Sequence, residues 1–199
     1  MTSQKTKFTL WLTTLLVSAL FVSGCGGTKV ELGFPLNDGN TWTYQGTVTY
    51  QLGKQQQSMP ALTFQLHCRK LSPKHTAPLE LTLVEETEPI WKGQFVTAPQ
   101  GLLNPLTGEF WLPAEVIVGK KWNTTFDGDK VTFIVRSQTN TTVPAGTFPT
   151  YLIDFKGPKK GTGSFWLDPV VGAVALDWNS KTPGGQSKTH LELVSYDLP

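Results

Sequence analysis

The sequence predicts a mainly β protein whose curved antiparallel sheets form a sandwich or a partly open barrel around one core. Apolar residues alternate with polar ones at period two, turn-forming clusters recur between these runs, and no stretch after residue 26 shows the period of an amphipathic helix. Strands with one buried and one polar face are common in antiparallel sheets, which is why the alternation favours this class.

The alternating runs are short and follow one another along the chain after residue 40. Between them lie clusters rich in Gly, Asn, Asp and Pro at 37–40, 127–129, 157–161 and 183–185, which are typical of turns. The segment 143–148 has Pro144 and Gly146 and is interpreted as a further tight connection. The apolar members of the runs are Trp42, Tyr44, Val48, Tyr50 and Leu52; Leu62, Phe64, Leu66 and Cys68; Leu79, Leu81 and Leu83; Val131, Phe133 and Val135; Tyr151, Ile153 and Phe155; and Leu191 and Leu193.

The N-terminus has the profile of a signal peptide. Lys5 and Lys7 precede an uncharged, largely apolar run from Phe8 to Val22. This run is shorter than the roughly 20 residues that a helix needs to cross a bilayer, and it ends in small residues. The next four residues, Val22-Ser23-Gly24-Cys25, resemble the lipobox of bacterial lipoproteins. That resemblance implies lipid attachment to Cys25 and cleavage before it.

These features divide the chain into three predicted parts: a lipoprotein signal peptide over 1–24, the lipidated Cys and a short tether over 25–33, and a single β-rich domain over 34–199. Attached acyl chains would hold the protein on the membrane, since each buried CH₂ contributes about 0.8 kcal/mol. Gly26, rather than Asp, follows Cys25. By resemblance to the sorting pattern of enterobacterial lipoproteins, this favours the outer membrane, facing the periplasm.

The charge of the predicted mature chain is balanced. Removal of residues 1–24 takes away Lys5 and Lys7 and no acidic residue, so the 17 basic residues become 15 and equal the 15 acidic ones. Without a basic block, no nucleic-acid partner is expected. Cys68 is the one cysteine besides Cys25, so an intramolecular disulfide is not expected in the lipidated protein.

Aromatic residues are the candidates for ligand or partner contact. Thr107-Gly108-Glu109-Phe110-Trp111-Leu112 recurs as Thr162-Gly163-Ser164-Phe165-Trp166-Leu167, and Gly39-Asn40-Thr41-Trp42 has a weaker echo in Gly119-Lys120-Lys121-Trp122. The rings could form a binding platform, or they could fill the core, as large aromatics most often do. The residues that would contact a ligand or partner are Trp42, Tyr44, Trp111, Trp122 and Trp166.

Several of these motifs occur in the order seen in a set of exported and lipid-anchored bacterial β proteins, some called TapB-like. The motifs are Phe34-Pro35-Leu36 with Gly39, Trp42 and Tyr44; Gly119 with Trp122; Val143-Pro144-Ala145-Gly146-Thr147-Phe148; and Trp166 with Pro169 and Gly172. The mature chain resembles these proteins over most of its length. The resemblance implies an antiparallel β domain without known catalytic residues.

No arrangement of residues predicts an enzyme, a metal site or a cofactor site. His67 and Cys68 are neighbours in a predicted strand, so their side chains point to opposite faces, and Cys68 is interpreted as a small buried hydrophobe. His75 and His190 have no second ligand at metal-binding spacing. The remaining candidates, the acidic cluster at 85–88, the turn at 127–129 and the glycines at 161–163, are interpreted as a charged strand end and turns.

Two functions of different kinds follow, and the sequence favours the first, with the second as its alternative. In the first, the protein is a membrane-anchored envelope lipoprotein with a non-catalytic structural or protein-interaction role, and its partner is another envelope protein. In the second, it is a carrier or sensor that binds an apolar, lipid-like small molecule in a barrel or half-barrel cavity. A filled core favours the first function, and an apolar cavity with a mouth favours the second.

Overall fold

A computed structural model describes residues 30–31, 36–71, 79–85, 88–126, 128–159, 161–182 and 185–199. The predicted signal peptide, the lipobox with Cys25, the sorting residue Gly26 and the motif residues Phe34 and Pro35 lie outside these residues. Val30 and Glu31, at the end of the predicted tether, form a short strand. The domain boundaries therefore remain predictions.

The described residues contain strands and no helix, as the period-two pattern predicts. No described helix could therefore span a membrane. The strands are β1 (Val30–Glu31), β2 (Thr41–Leu52), β3 (Gln55–Lys70), β4 (Leu79–Glu85), β5 (Glu88–Ala98), β6 (Gly101–Leu103), β7 (Phe110–Pro113), β8 (Glu115–Val116), β9 (Lys121–Phe126), β10 (Asp129–Val143), β11 (Gly146–Gly157), β12 (Gly161–Asp168), β13 (Gly172–Thr182) and β14 (Gly185–Asp197).

Twelve of these strands form one antiparallel sheet that is nearly closed into a barrel, which confirms the predicted fold class. The strand order is β7-β6-β5-β4-β3-β2-β14-β13-β12-β11-β10-β9, so every neighbour except the β2–β14 pair is consecutive in sequence. β1 and β8 form a separate antiparallel pair, in which Val30 lies opposite Val116.

The β2–β14 pair joins the two halves of the chain, and Gly46 permits its close contact. A Cβ at Gly46 would overlap the carbonyl oxygen of His190 on the neighbouring strand. The register of β2 against β3 shifts directly after this glycine, between Gly46 and Val48. Irregularities of this kind bend a strand and increase its twist, which a sheet needs in order to curl into a barrel.

The predicted connection at 143–148 is a tight hairpin between β10 and β11. Val143 pairs with Gly146, and Gly146 has a positive φ of 141°. The backbone amide of Ala145 donates a hydrogen bond to the carbonyl oxygen of Leu193 at 3.0 Å. The tip of this hairpin is therefore fastened to β14, which lies three positions from β11 in the sheet order.

The apolar interior divides into two clusters. The first contains Trp42, Tyr44, Phe64 and Cys68 from β2 and β3, together with Leu193 from β14 and residues of other strands. The second contains residues of the other half of the sheet, including Val131, Phe133, Val135, Tyr151 and Ile153. The predicted parity of β2 holds only in part, because Tyr50 is 37% exposed and Leu52 is 54% exposed. These two residues follow the register shift at Gly46 and lie at the hairpin end of the strand.

Candidate functional site

The barrel has a seam between its edge strands, β7 and β9, where no backbone ladder links the two strands among the described residues. Side chains close it instead. The backbone amide of Thr125 donates to Oε2 of Glu109 at 2.6 Å, and Nε1–H of Trp122 donates to the carbonyl oxygen of Trp111 at 3.1 Å. A seam closed by a few side-chain bonds opens more easily than a ladder, in which each strand residue adds a backbone bond.

Aromatic rings lie directly behind the seam. Trp111 from β7 makes an edge contact with Phe126 from β9 at a centroid distance of 4.9 Å and an interplanar angle of 89°. Trp111 also meets Phe95 edge-on at 5.2 Å, and Trp91 lies 6.4 Å away. These are the edge-to-face geometries that aromatic pairs prefer. The inner side of the seam is therefore apolar and built from large, rigid rings.

A pocket of about 230 Å³ adjoins these rings, and we call it the seam pocket. Every side chain that lines it is apolar or aromatic. The lining residues are Trp111, Phe126, Val131, Phe133, Phe155, Phe165, Leu176 and Trp178. They come from β7, β9, β10, β11, β12 and β13, so the pocket is formed by both edges of the sheet and by the strands next to the β9 edge.

A second pocket, of about 200 Å³, lies on the side of β2 and shares Phe165 with the seam pocket. Trp42, Tyr44, Leu66 and Leu102 are among its lining residues. Asp168 is its one charged lining residue. The carboxylate Oδ1 of Asp168 accepts hydrogen bonds from the backbone amides of Val170 and Val171 at 2.8 and 2.7 Å, so it orders the β12–β13 turn.

Trp42 and Tyr44, two of the five predicted contact residues, are buried and hydrogen-bonded. Nε1–H of Trp42 donates to the carbonyl oxygen of Val171 at 2.7 Å, and the hydroxyl of Tyr44 donates to that of Ala173 at 2.8 Å. Burial raises the pKa of the Tyr44 phenol well above its ordinary value, because the charged form would lose its hydration. These two side chains bind the β12–β13 turn and the start of β13 to β2.

The other three predicted residues lie in different places. Trp111 lines the seam pocket, whereas the Trp122 ring stacks on Phe133 at 5.1 Å with an interplanar angle of 8°. Trp166 is half-buried against the first apolar cluster. The structure therefore distributes the five residues over both clusters and does not bring them together as one platform.

Sequence reasoning missed three aromatic residues near the seam pocket: Trp91, Phe126 and Trp178. Two glycines in strands are the signal that could have indicated close packing of these rings. A Cβ at Gly93 would overlap the ring of Trp91, and a Cβ at Gly163 would overlap the ring of Phe155. Glycines in strands often mark such close approaches.

Cys68, the thiol considered in the sequence, is buried. It is 3% exposed, and burial, with a smaller effect of Asp38, raises the pKa of its thiol to about 11. At neutral pH it is a thiol rather than a nucleophilic thiolate. Among the described residues, no group of three or more His, Cys, Asp or Glu side chains is placed to hold a metal ion.

His190 is part of an exposed polar cluster on β13 and β14. Its Nδ1 lies 2.6 Å from Oδ1 of Asp177, and its Nε2 lies 3.6 Å from Oε1 of Glu192. The hydrogen bond to Asp177 is the largest cause of the raised pKa of His190, and partial desolvation opposes it. About half of the side chain is exposed, so water screens this cluster.

Comparison with known proteins gives only distant structural likeness. No protein family and no curated protein matches the sequence, so the resemblance to TapB-like proteins stays a prediction. A solved structure of a predicted exported protein with a YmcC-like fold from Bacteroides fragilis covers 84% of this chain and 100% of its own, with 13% identity and a TM-score of 0.42. A predicted lipoprotein from Parabacteroides distasonis covers 84% of this chain and 99% of its own, with 14% identity and a TM-score of 0.42.

Proposed function

We propose that this chain is a non-catalytic, lipid-anchored envelope protein that carries or senses an apolar ligand inside its barrel. The observation that carries the proposal is the seam pocket, which is lined by apolar and aromatic side chains alone and lies behind an edge without a backbone ladder. Apolar pockets of this kind bind apolar molecules, since water inside them makes few hydrogen bonds.

The number of strands supports an interior that side chains do not fill. Barrels of about eight strands are just filled by side chains or hold one small ligand, and barrels of 16 or more contain open channels. The described sheet has twelve strands and borders the seam pocket and the second pocket, of about 230 and 200 Å³.

The pocket sizes set the class of ligand. A dry cavity of about 150 Å³ is known to bind benzene, whereas pockets for drug-sized molecules measure about 300 to 1,000 Å³. Each pocket here is intermediate between these sizes. The ligand is therefore a single acyl chain or another slender apolar group, with the polar end of the molecule outside the seam.

The anchor is the lipid on Cys25, which the lipobox resemblance implies. Residues 26–29 separate Cys25 from the first described strand at Val30. Fully extended, this connection reaches about 17 Å from Cys25 to Val30. The barrel would therefore stay close to its membrane, which is the outer membrane facing the periplasm if Gly26 acts as the sorting residue. A carrier of apolar molecules would gain from this position, because it could exchange them with the bilayer.

The second candidate is a structural or protein-interaction role, and the burial and hydrogen bonding of Trp42 and Tyr44 favour it. Both rings are buried, and their polar atoms are hydrogen-bonded to the β12–β13 turn and to the start of β13. In this part of the barrel the aromatics act as core residues. The two functions differ in whether the seam pocket takes up a ligand.

A variant that fills the seam pocket distinguishes the carrier function from the interaction role. We expect Leu176→Trp to block binding of the fluorescent probe N-phenylnaphthylamine, because the added ring would occupy the pocket. The control is Leu52→Trp, which adds the same ring at a side chain that is 54% exposed. The carrier proposal requires probe binding by the parent and the control and its loss in the filled variant. If the parent does not bind the probe, or if both variants bind it equally, the interaction role is favoured.

The anchor is tested separately. Cys25→Ala should abolish metabolic labelling with radioactive palmitate and release the protein from the detergent phase. A Cys68→Ala variant is the matched control and should be labelled normally. Normal processing and detergent partitioning of Cys25→Ala would show that the anchor assignment is wrong.

A further inference from the structure

The outer surface of β9 to β13 carries a wide open groove of about 990 Å³, which we call the basic groove. Its lining includes four basic side chains, Lys121, Lys130, Arg136 and Lys156, and one acidic side chain, Asp154. The groove lies on the outside, since the intervening residues of β10, Val131, Phe133 and Val135, are buried in the interior.

Most of the positive charge in this groove is unneutralised. Asp154 is already bound by Arg136, whose Nε lies 2.6 Å from Oδ2, and by the hydroxyl of Ser164 at 2.7 Å. Lys121, Lys130 and Lys156 are exposed, and none of them forms an ion pair with a carboxylate in the described part of the chain. An anion that enters the groove would therefore meet three available ammonium groups.

The register of the sheet places these cations on one face of three adjacent strands. Lys156 lies opposite Thr132, and Thr132 lies opposite Asn123 on the other side, so these three residues form a row across three strands. Lys130 lies two residues from Thr132 and is a diagonal neighbour of Lys156, about 7 to 8 Å away. Lys121 lies opposite Ile134, on the other side of the row, and is two strands from Lys156. All three line the same groove, so one large anionic surface can contact them together.

The outer surface of β2 has no comparable charge. On β2, the outward residues Thr43, Gln45, Thr47, Thr49 and Gln51 are all uncharged. Their partners across the β2–β3 pair, such as Ser58 opposite Thr49 and Gln56 opposite Gln51, are uncharged as well. The predicted mature chain is neutral overall, so the basic groove is a local concentration of charge and not a consequence of net charge.

A short connection links the partner strand of β1 to Lys121, at the start of β9. Val30 pairs with Val116 on β8, and only four residues separate Val116 from Lys121 at the groove. The backbone amide of Val135, the residue before Arg136, donates to the carbonyl oxygen of Lys120 at 3.0 Å, which fixes this connection to β10. The connection also carries Val118, an apolar side chain that is 44% exposed.

We infer that the basic groove docks on anionic phospholipid headgroups of the membrane to which the chain is tethered. This inference rests on the proposed anchor, because the short connection to Cys25 would keep the groove within reach of the headgroup layer. Lysines near an anionic bilayer are attracted to its surface, and this attraction weakens within a Debye length. Docking would fix the orientation of the barrel and hold its groove side against the bilayer.

The test uses vesicle flotation with the chain from residue 25 to 199 carrying Cys25→Ser, which keeps every described residue and has no lipid. We expect it to bind vesicles containing phosphatidylglycerol and not vesicles of phosphatidylcholine alone. The double variant Lys130→Ala/Lys156→Ala should bind about 25-fold more weakly, since each lysine contributes about fivefold. Circular dichroism melting of each variant verifies that the barrel is intact.

The matched control is Lys54→Ala/Lys181→Ala, which removes the same charge from two exposed positions on other hairpins. It should bind the vesicles like the parent. Equal weakening in both double variants, or no preference of the parent for phosphatidylglycerol, would overturn the inference. Tighter binding to soluble polyphosphate than to vesicles would assign the groove to a soluble polyanion and also overturn it. These outcomes do not depend on acylation of Cys25, which its own labelling experiment tests.

Discussion

Glu109 and Thr125 join the two ends of the sheet: Oε2 of Glu109 accepts the backbone amide hydrogen bond of Thr125 at 2.6 Å. This contact links β7 to β9 at the seam, where the strands share no ladder. The closure of the barrel therefore depends on individual side chains at this place, and the seam is the part of the wall where a ligand would enter.

Removal of this contact should loosen the seam. We expect Glu109→Ala to lower the free energy of unfolding by about 1 kcal/mol, the usual contribution of a hydrogen bond at a half-buried site. Amide hydrogen exchange should rise in β7 and β9 and stay unchanged in β2 and β14. Glu88→Ala, at an exposed strand end, is the control and should alter neither quantity. Unchanged exchange in β9 of Glu109→Ala would mean that the seam is closed by other contacts.

The hydrogen bond of Trp42 should matter more than that of Trp122. Trp42→Phe removes the donor to Val171 from a site that is 3% exposed, and we expect a loss of about 2 to 3 kcal/mol because a carbonyl acceptor and a void are left behind. Trp122→Phe removes a longer bond from a half-buried ring and should cost about 1 kcal/mol. Denaturant unfolding measures both. A larger loss for Trp122→Phe would contradict the assignment of Trp42 as a core residue.

The sequence pattern predicts the class of the fold because alternation depends only on which face of a strand is buried. Trp42 and Tyr44, Phe64 and Cys68, and Val131 to Val135 all follow it. The β2–β14 pair that joins the two halves depends on contacts between residues far apart in the chain, such as Gly46 and His190, and no local pattern encodes it. The turn at Gly53 between β2 and β3 is not predicted by the sequence pattern. Tyr50 and Leu52 continue the alternation of apolar and polar residues of β2 up to this turn.

The candidate site was predictable only in part. Trp111 was identified as a contact residue, and it lines the seam pocket. Phe126 and Phe133 come together with it only because the sheet curls until β9 approaches β7, which is a property of the whole barrel. The basic groove was missed for a similar reason: Lys121, Lys130 and Lys156 are separated in sequence, and the register of three strands brings them to one face of the sheet.

Cys68 should be unreactive in the folded protein. Because burial raises the pKa of its thiol to about 11, labelling by a bulky maleimide should stay slow up to about pH 9 and become rapid in denaturant. Cys68→Ala should retain probe binding and lose about 1 to 2 kcal/mol of stability through the cavity that it leaves. Rapid labelling of the native protein would show that this part of the core opens readily.

The pKa of His190 should depend mainly on Asp177. The pKa of His190 is higher in the folded state than its unfolded value of 6.5, so protonation of His190 stabilises the fold. This small contribution is complete at pH values below 6.5. It is lost as the pH rises through the pKa of the folded state. We expect Asp177→Asn to lower the pKa of His190 in an NMR titration of the ring protons. Glu192→Gln, which removes the more distant carboxylate, should lower it less. A larger decrease in Glu192→Gln than in Asp177→Asn would show that the hydrogen bond to Asp177 is not the main cause of the raised pKa.

Native mass spectrometry of the protein, extracted gently from its own membrane, tests most directly whether the barrel holds an apolar ligand. The account predicts a bound species of one acyl-chain-containing molecule per protein, in addition to the lipid attached to Cys25, and its absence from the Leu176→Trp variant. The Leu52→Trp control should retain it. A parent protein without any bound species, or a species that persists unchanged in Leu176→Trp, would contradict the carrier function.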